Sequence, residues 1–129
     1  MQRFTVYQTK QFARFAKRAR LTDEDLWQSA QHANEGLIDA DLGGGVIKQR
    51  IARKGEGKSG GSRTILLFRQ GDRAVFVDGF EKKNQANISL ADLQRYRALA
   101  KYVFALSELA WNESVRTGVF IAIASLPED

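Results

Sequence analysis

The segment from Ala52 to Gly61, ARKGEGKSGG, holds Ala52, four further residues and then Gly57-Lys58-Ser59, the spacing of a relaxed phosphate-binding loop. Such a loop cradles phosphate only where its Lys and Ser open a helix, so that backbone amides and the helix dipole face the anion. Here Ser59 is followed by Gly60-Gly61-Ser62 and a run rich in β-formers, so the nucleotide-binding reading fails on context. The charge remains to be explained. Lys48 and Arg50 precede the segment, Arg53, Lys54 and Lys58 lie within it, and Arg63 follows it. If the flanking runs pair as strands, these cations share one small sheet end, and their mutual repulsion costs stability unless a polyanion is bound. A solvated surface loop is the plainer account of an isolated charge run. The convergence of strand-borne with loop-borne cations argues for function.

Other side chains offer less. The chain has no cysteine and a single histidine, His32, so neither a disulfide nor a Cys/His metal site can organise it, and no metal or cofactor is called for. A Ser-His-Asp arrangement would have to use His32, which lies on an acidic segment with nothing nearby to recommend it, and reads as structural. Trp27 and Trp111 fall on helical patterns, where a core or interface role outweighs base stacking. Glu56 and Glu81 flank the cations and read equally well as counter-charges.

The elements that must position the cations follow from periodicity. Phe4 to Gln8 alternates as a strand over about residues 3–8. Phe12, Phe15, Ala16 and Ala19 form a helical stripe that leaves Arg14, Lys17 and Arg18 off it. Thr22 can cap a second helix carried by Leu26, Ala30 and Ala33 and ended at Gly36, with Asp23, Glu24 and Asp25 in its first turn. Ile47 and Ile51 alternate with Lys48 and Arg50 as a half-exposed strand. RTILLFR and RAVFVDGF, joined through Gln70-Gly71-Asp72, read as a central hairpin. Ser89 with Asp92 opens a third helix that runs to about Trp111, and VFIAIA suggests a last short strand. With 129 residues, 43% of them apolar, the chain is one α+β domain, residues 1–129, with two N-terminal helices and a C-terminal helix on a mainly antiparallel sheet. No stretch reads as a signal peptide or membrane span, and a reducing, cytoplasmic setting is expected.

The net charge of +5 is unevenly spread. Residues 1–20 carry six basic and no acidic side chains, residues 21–44 six acidic and no Lys or Arg, and residues 45–69 seven basic and one acidic. Two basic segments brought together make a field suited to a polyanion. Arg14, Lys17 and Arg18 are therefore expected beside the basic sheet end, extending a polyanion-binding surface, and the acidic stretch is expected to lie off that surface, facing away from the polyanion or sitting near a protein partner.

Residues 47–63 read I-x-x-R-x-A-x-K-G-x-G-K-x-G-G-S-R and are followed by two strands and Gly79-Phe80-Glu81-Lys82-Lys83-Asn84. This pattern resembles the RelE/ParE superfamily of bacterial toxins, in particular its HigB-like branch, and the likeness spans most of the chain. The resemblance implies a toxin of a type II toxin-antitoxin system, a metal-independent endoribonuclease that cuts messenger RNA on the ribosome. By motif position the catalytic residues are Lys54, Lys58, Arg63 and Lys82, with Lys48, Arg50, Arg53, Phe80 and Lys83 binding RNA. The implied partners are the ribosome, messenger RNA and a cognate antitoxin of the helix-turn-helix DNA-binding kind, the free toxin being a monomer. A Lys and Arg cluster suits this chemistry, because it stabilises phosphorane charge and a Lys with cationic neighbours can exchange a proton. The alternatives are a ParE-like, non-catalytic inhibitor of DNA gyrase and an RNA- or ribosome-binding module that never cuts.

Overall fold

A computed structural model of the chain describes residues 3–52, 61–85 and 87–124. Strand β1 (Thr5–Thr9) runs directly into helix α1 (Lys10–Arg18), because Thr9 ends the extended backbone and its Oγ1 accepts the Phe12 amide at 3.1 Å. Helix α2 (Asp23–Asn34) opens on a full capping box. The Asp25 amide donates to Thr22 Oγ1 and the Thr22 amide to Asp25 Oδ2. The chain continues through β2 (Ala40–Gly43), β3 (Val46–Ile51), β4 (Ser62–Arg69), β5 (Arg73–Glu81), α3 (Leu90–Ala105), α4 (Glu108–Arg116) and β6 (Phe120–Ile123).

The strands form one open sheet in the order β2-β3-β4-β5-β1-β6, antiparallel except where β1 lies parallel to β5. Both faces are covered. On one, Phe12, Ala16, Leu26 and Ala30 from α1 and α2 bury Val6, Ile47, Leu66 and Phe76, with Phe12 stacked on Phe76 at 5.0 Å. On the other, Tyr96, Ala100 and Val103 from α3 and Trp111 from α4 bury Val46, Ile65, Leu67, Val75 and Val77. The central strands β4 and β5 are apolar on both faces because each face meets a helix layer.

The α+β class, the N-terminal helix pair, the hairpin and the last strand agree with the sequence reading. Two elements differ from it. Strand β2 was not anticipated; it is a short edge strand of residues with weak β propensity, held by its pairing with β3. The C-terminal helix does not run unbroken to Trp111. Leu106 takes an extended conformation and Ser107 starts a new helix, its Oγ accepting the Ala110 amide, so that Trp111 can turn edge-on to Tyr7 and stack on Phe120.

Candidate active site

The register of β3, β4 and β5 sets the site. Arg50 pairs with Arg63 and Arg63 with Phe80, so the three form one row across hydrogen-bonded strands. Alternation from Val46, Ile65 and Leu67 puts Arg50 and Arg63 on the face covered by α3. Phe80 reaches that face through a bulge. The β4 to β5 register shifts after Ile65 and Asp78, leaving Val77 as an extra residue, so Val77 and Asp78 both turn toward α3. Asp78 Oδ1 accepts the Gly79 amide at 2.8 Å, and Oδ2 accepts the Tyr96 hydroxyl at 2.6 Å. Burial, reinforced by the Asp78 hydrogen bond and charge, pushes the Tyr96 hydroxyl far above the ordinary tyrosine range. The second row, Lys48, Ile65 and Asp78, lies beside the first.

Arg63 is 5% exposed and Phe80 6%. The guanidinium is thus held within the sheet end, with Nη1 donating to the Gly61 carbonyl at 3.3 Å. Arg50 is exposed and Lys48 half-buried. Lys82 and Lys83 are exposed in the turn after β5, which is closed by the Asn84 and Gln85 amides on the Glu81 carbonyl. Glu81 shares the opposite face with Gly79 and accepts from Ser62 Oγ at 3.3 Å. Arg53, Lys54 and Lys58, with Glu56 between them, lie outside the described residues.

The N-terminal cations meet one part of their expectation. Helix α1 reaches the same end of the sheet, since Phe15 packs where a Cβ on Gly79 would stand 2.3 Å from its ring. It does so on the other face. Arg14, Lys17 and Arg18 are exposed there, with the sheet between them and the Arg63 row. The acidic stretch also comes close to this end of the sheet. Asp39 Oδ2 accepts the Arg50 amide at 2.7 Å, and Asp25, His32 and Asp39 border a cleft of about 660 Å³ whose other wall includes Gln49 and Arg50.

Sequence reasoning missed the residues that fix this geometry. Gln49 is 3% exposed, and it accepts the Asp39 amide while donating to the Ser29 and Leu37 carbonyls, tying β3 to α2 and to the segment before β2. Thr64, fully buried, donates to the Gln49 carbonyl at 3.0 Å. The one signal for Gln49 was its inward parity between Ile47 and Ile51. His32 is exposed on α2, and Trp111 is a core residue with the Arg73 guanidinium 4.1 Å above its ring.

A small α+β domain with a mostly antiparallel open sheet and a cationic strand end is thus the class that fold and site define together. Residues 4–123 match the family described as the RelE toxin of the RelE/RelB toxin-antitoxin system, and the chain belongs to that family. Toxins of this family pair with an antitoxin. No curated protein matches the chain at a significant level. Among the described residues no helix is long and apolar enough to cross a membrane, and no group of His, Cys, Asp or Glu is placed to hold a metal ion.

Proposed function

We propose that this toxin is a HigB-like, ribosome-dependent endoribonuclease that cuts messenger RNA during translation. The observation that carries the reading is the row Arg50, Arg63 and Phe80 at the sheet end where the Gly- and Lys-rich segment 53–60 joins β3 to β4. Two arginines and a phenylalanine in one cross-strand row suit a phosphodiester and its neighbouring base.

In the reaction proposed, the 2′-oxygen bonds to the adjacent phosphorus and the bond from phosphorus to the 5′-oxygen breaks. The 2′-OH proton goes to a base and the departing 5′-oxygen takes a proton from an acid. Lys54, Lys58 and Lys82 are the candidates for proton exchange, and Arg63 for stabilising the charge of the pentavalent phosphate. Arg50, Lys48, Arg53, Phe80 and Lys83 hold the strand. The ribosome supplies an ordered, in-line message, which offsets weak proton transfer by positioning.

The test is to add the pure protein to a translation extract and map message ends, with a gyrase supercoiling assay alongside. Cuts within translated codons are expected. Intact message with inhibited gyrase would establish the ParE-like reading instead, and intact message with the protein bound to ribosomes a module that does not cut.

A further inference from the structure

The turn Gly43–Gly45 joins β2 to β3 with all three residues at positive φ, a conformation that side-chain-bearing residues rarely adopt. It also lies close under α3. A Cβ on Gly44 would stand 3.0 Å from Arg97 Cγ, and one on Gly45 3.4 Å from Ala100 Cβ. Arg97 crosses the turn and donates from Nε to the Leu42 carbonyl at 3.1 Å. Between this turn, the end of β4 and α3 opens a groove of about 660 Å³. Its floor is apolar, made by Gly45, Ala100 and Phe104. Its rim carries Arg69, Arg97 and Lys101; Arg69 Nη1 also lies 3.7 Å from Asp72 Oδ2, and among the described residues no carboxylate lines the groove itself.

From this charge pattern we propose that the groove is a docking site for an acidic, amphipathic segment of a protein partner. Its carboxylates would meet Arg69, Arg97 and Lys101 while a bulky apolar side chain enters over Gly45 and Ala100. From Arg97 to Ala105 helix α3 advances about 12 Å, room for roughly two turns of a partner helix. The apolar strip continues on α3 through Ala98, Ala105 and Tyr102, the last 64% exposed. Membership of a toxin-antitoxin family provides a partner in the antitoxin, and a toxin of net charge +5 favours an acidic one.

RNA fits this groove less well. The Arg69 guanidinium already lies 4.7 Å from the centre of the Phe104 ring, so that face is not open for base stacking, and alanine and glycine offer no platform. The groove is at the Arg69 end of β4, six residues and about 20 Å from Arg63, so a bound segment leaves the proposed cleavage row uncovered.

The full-length protein is titrated with a short labelled helical peptide bearing Glu on one face and Leu on the other. The same peptide with Lys in place of Glu and a short single-stranded RNA serve as comparisons. Expected are amide shifts at Gly44, Gly45 and Lys101 on adding the acidic peptide, and affinity lowered about tenfold or more by Lys101→Glu but kept by Lys101→Arg. Both substitutions fall on an exposed helix position, and matching circular dichroism checks their fold. The proposal is overturned if the acidic peptide does not bind, if the Lys peptide binds as well, if Lys101→Glu changes nothing, or if RNA competes for the same amides. Because the readout is binding, its failure leaves the ribonuclease reading untouched, and absence of message cleavage leaves the groove untouched.

Discussion

Arg63 occupies the middle of three hydrogen-bonded strands, between Arg50 and Phe80, and its backbone position is therefore set by the sheet and not by a loop. A planar fork with several donors suits a phosphate that gains charge, whereas lysine offers a point charge without bidentate geometry. Arg63→Lys is accordingly expected to bind ribosomes normally and to recover only part of the cleavage rate, read in single-turnover assays. Tyr96 acts at the same scale on stability. Folding favours its protonated phenol, so its stabilisation is complete below about pH 10, where tyrosine in the unfolded chain begins to ionise, and is lost as pH rises beyond that. Urea unfolding should show Tyr96→Phe less stable at neutral pH by about 1.5–3 kcal/mol, the value of a hydrogen bond to a charged group. Above about pH 10 its stability should fall less steeply than that of the wild type. Parallel alkaline slopes would remove Tyr96 from this role.

Among elements, α1 and β5 meet at a close approach, Phe15 against the bare Cα of Gly79. Gly79→Ala is expected to destabilise by about 1–3 kcal/mol through overpacking, and Phe15→Leu in the same chain should restore part of the loss. Thermal melts of the two single variants and the double variant decide it, simple additivity being the contrary result. Phe15 was legible in the sequence as part of a helical stripe, and Thr22 as a cap, because both signals are local. Strand β2 was not legible, since Ala40-Asp41-Leu42-Gly43 becomes a strand through its neighbour β3. The break at Leu106 was hidden by an apolar period that passes through it. The site shows the same limit. The pairing of Arg50 and Arg63 follows from a hairpin-like reading of their flanks, but the bulge at Val77 reverses the parity of everything after it in β5. Counted by alternation from Val75, Phe80 would lie on the α1 face. Charge counts likewise place α1 near the basic end and are silent on which face it takes.

At the scale of the whole molecule the charge segments sort by face as well as by end. The Arg63 row lies on the α3 side, and Arg14, Lys17 and Arg18 lie on the α1 side, beyond the sheet. On the proposed reading the message lies on the first face, its phosphates neutralised by Arg50, Lys82 and Lys83 with release of counterions. Ribosome affinity is therefore expected to fall steeply with salt, and substitution of Arg14, Lys17 and Arg18 by Ala to flatten that slope less than substitution of Arg50, Lys82 and Lys83, as measured by pelleting at graded ionic strength. Equal effects would place both faces in the footprint. The claim on which the account depends is that the Arg63 row cleaves the phosphodiester, and the most direct test is single-turnover cleavage on message-programmed ribosomes, wild type against Arg63→Ala. With ribosome affinity and fold unchanged, the rate is expected to drop by about a hundred- to a thousandfold, the usual loss for one transition-state contact. A folded, ribosome-bound Arg63→Ala protein that still cuts within about tenfold of the wild-type rate would contradict it.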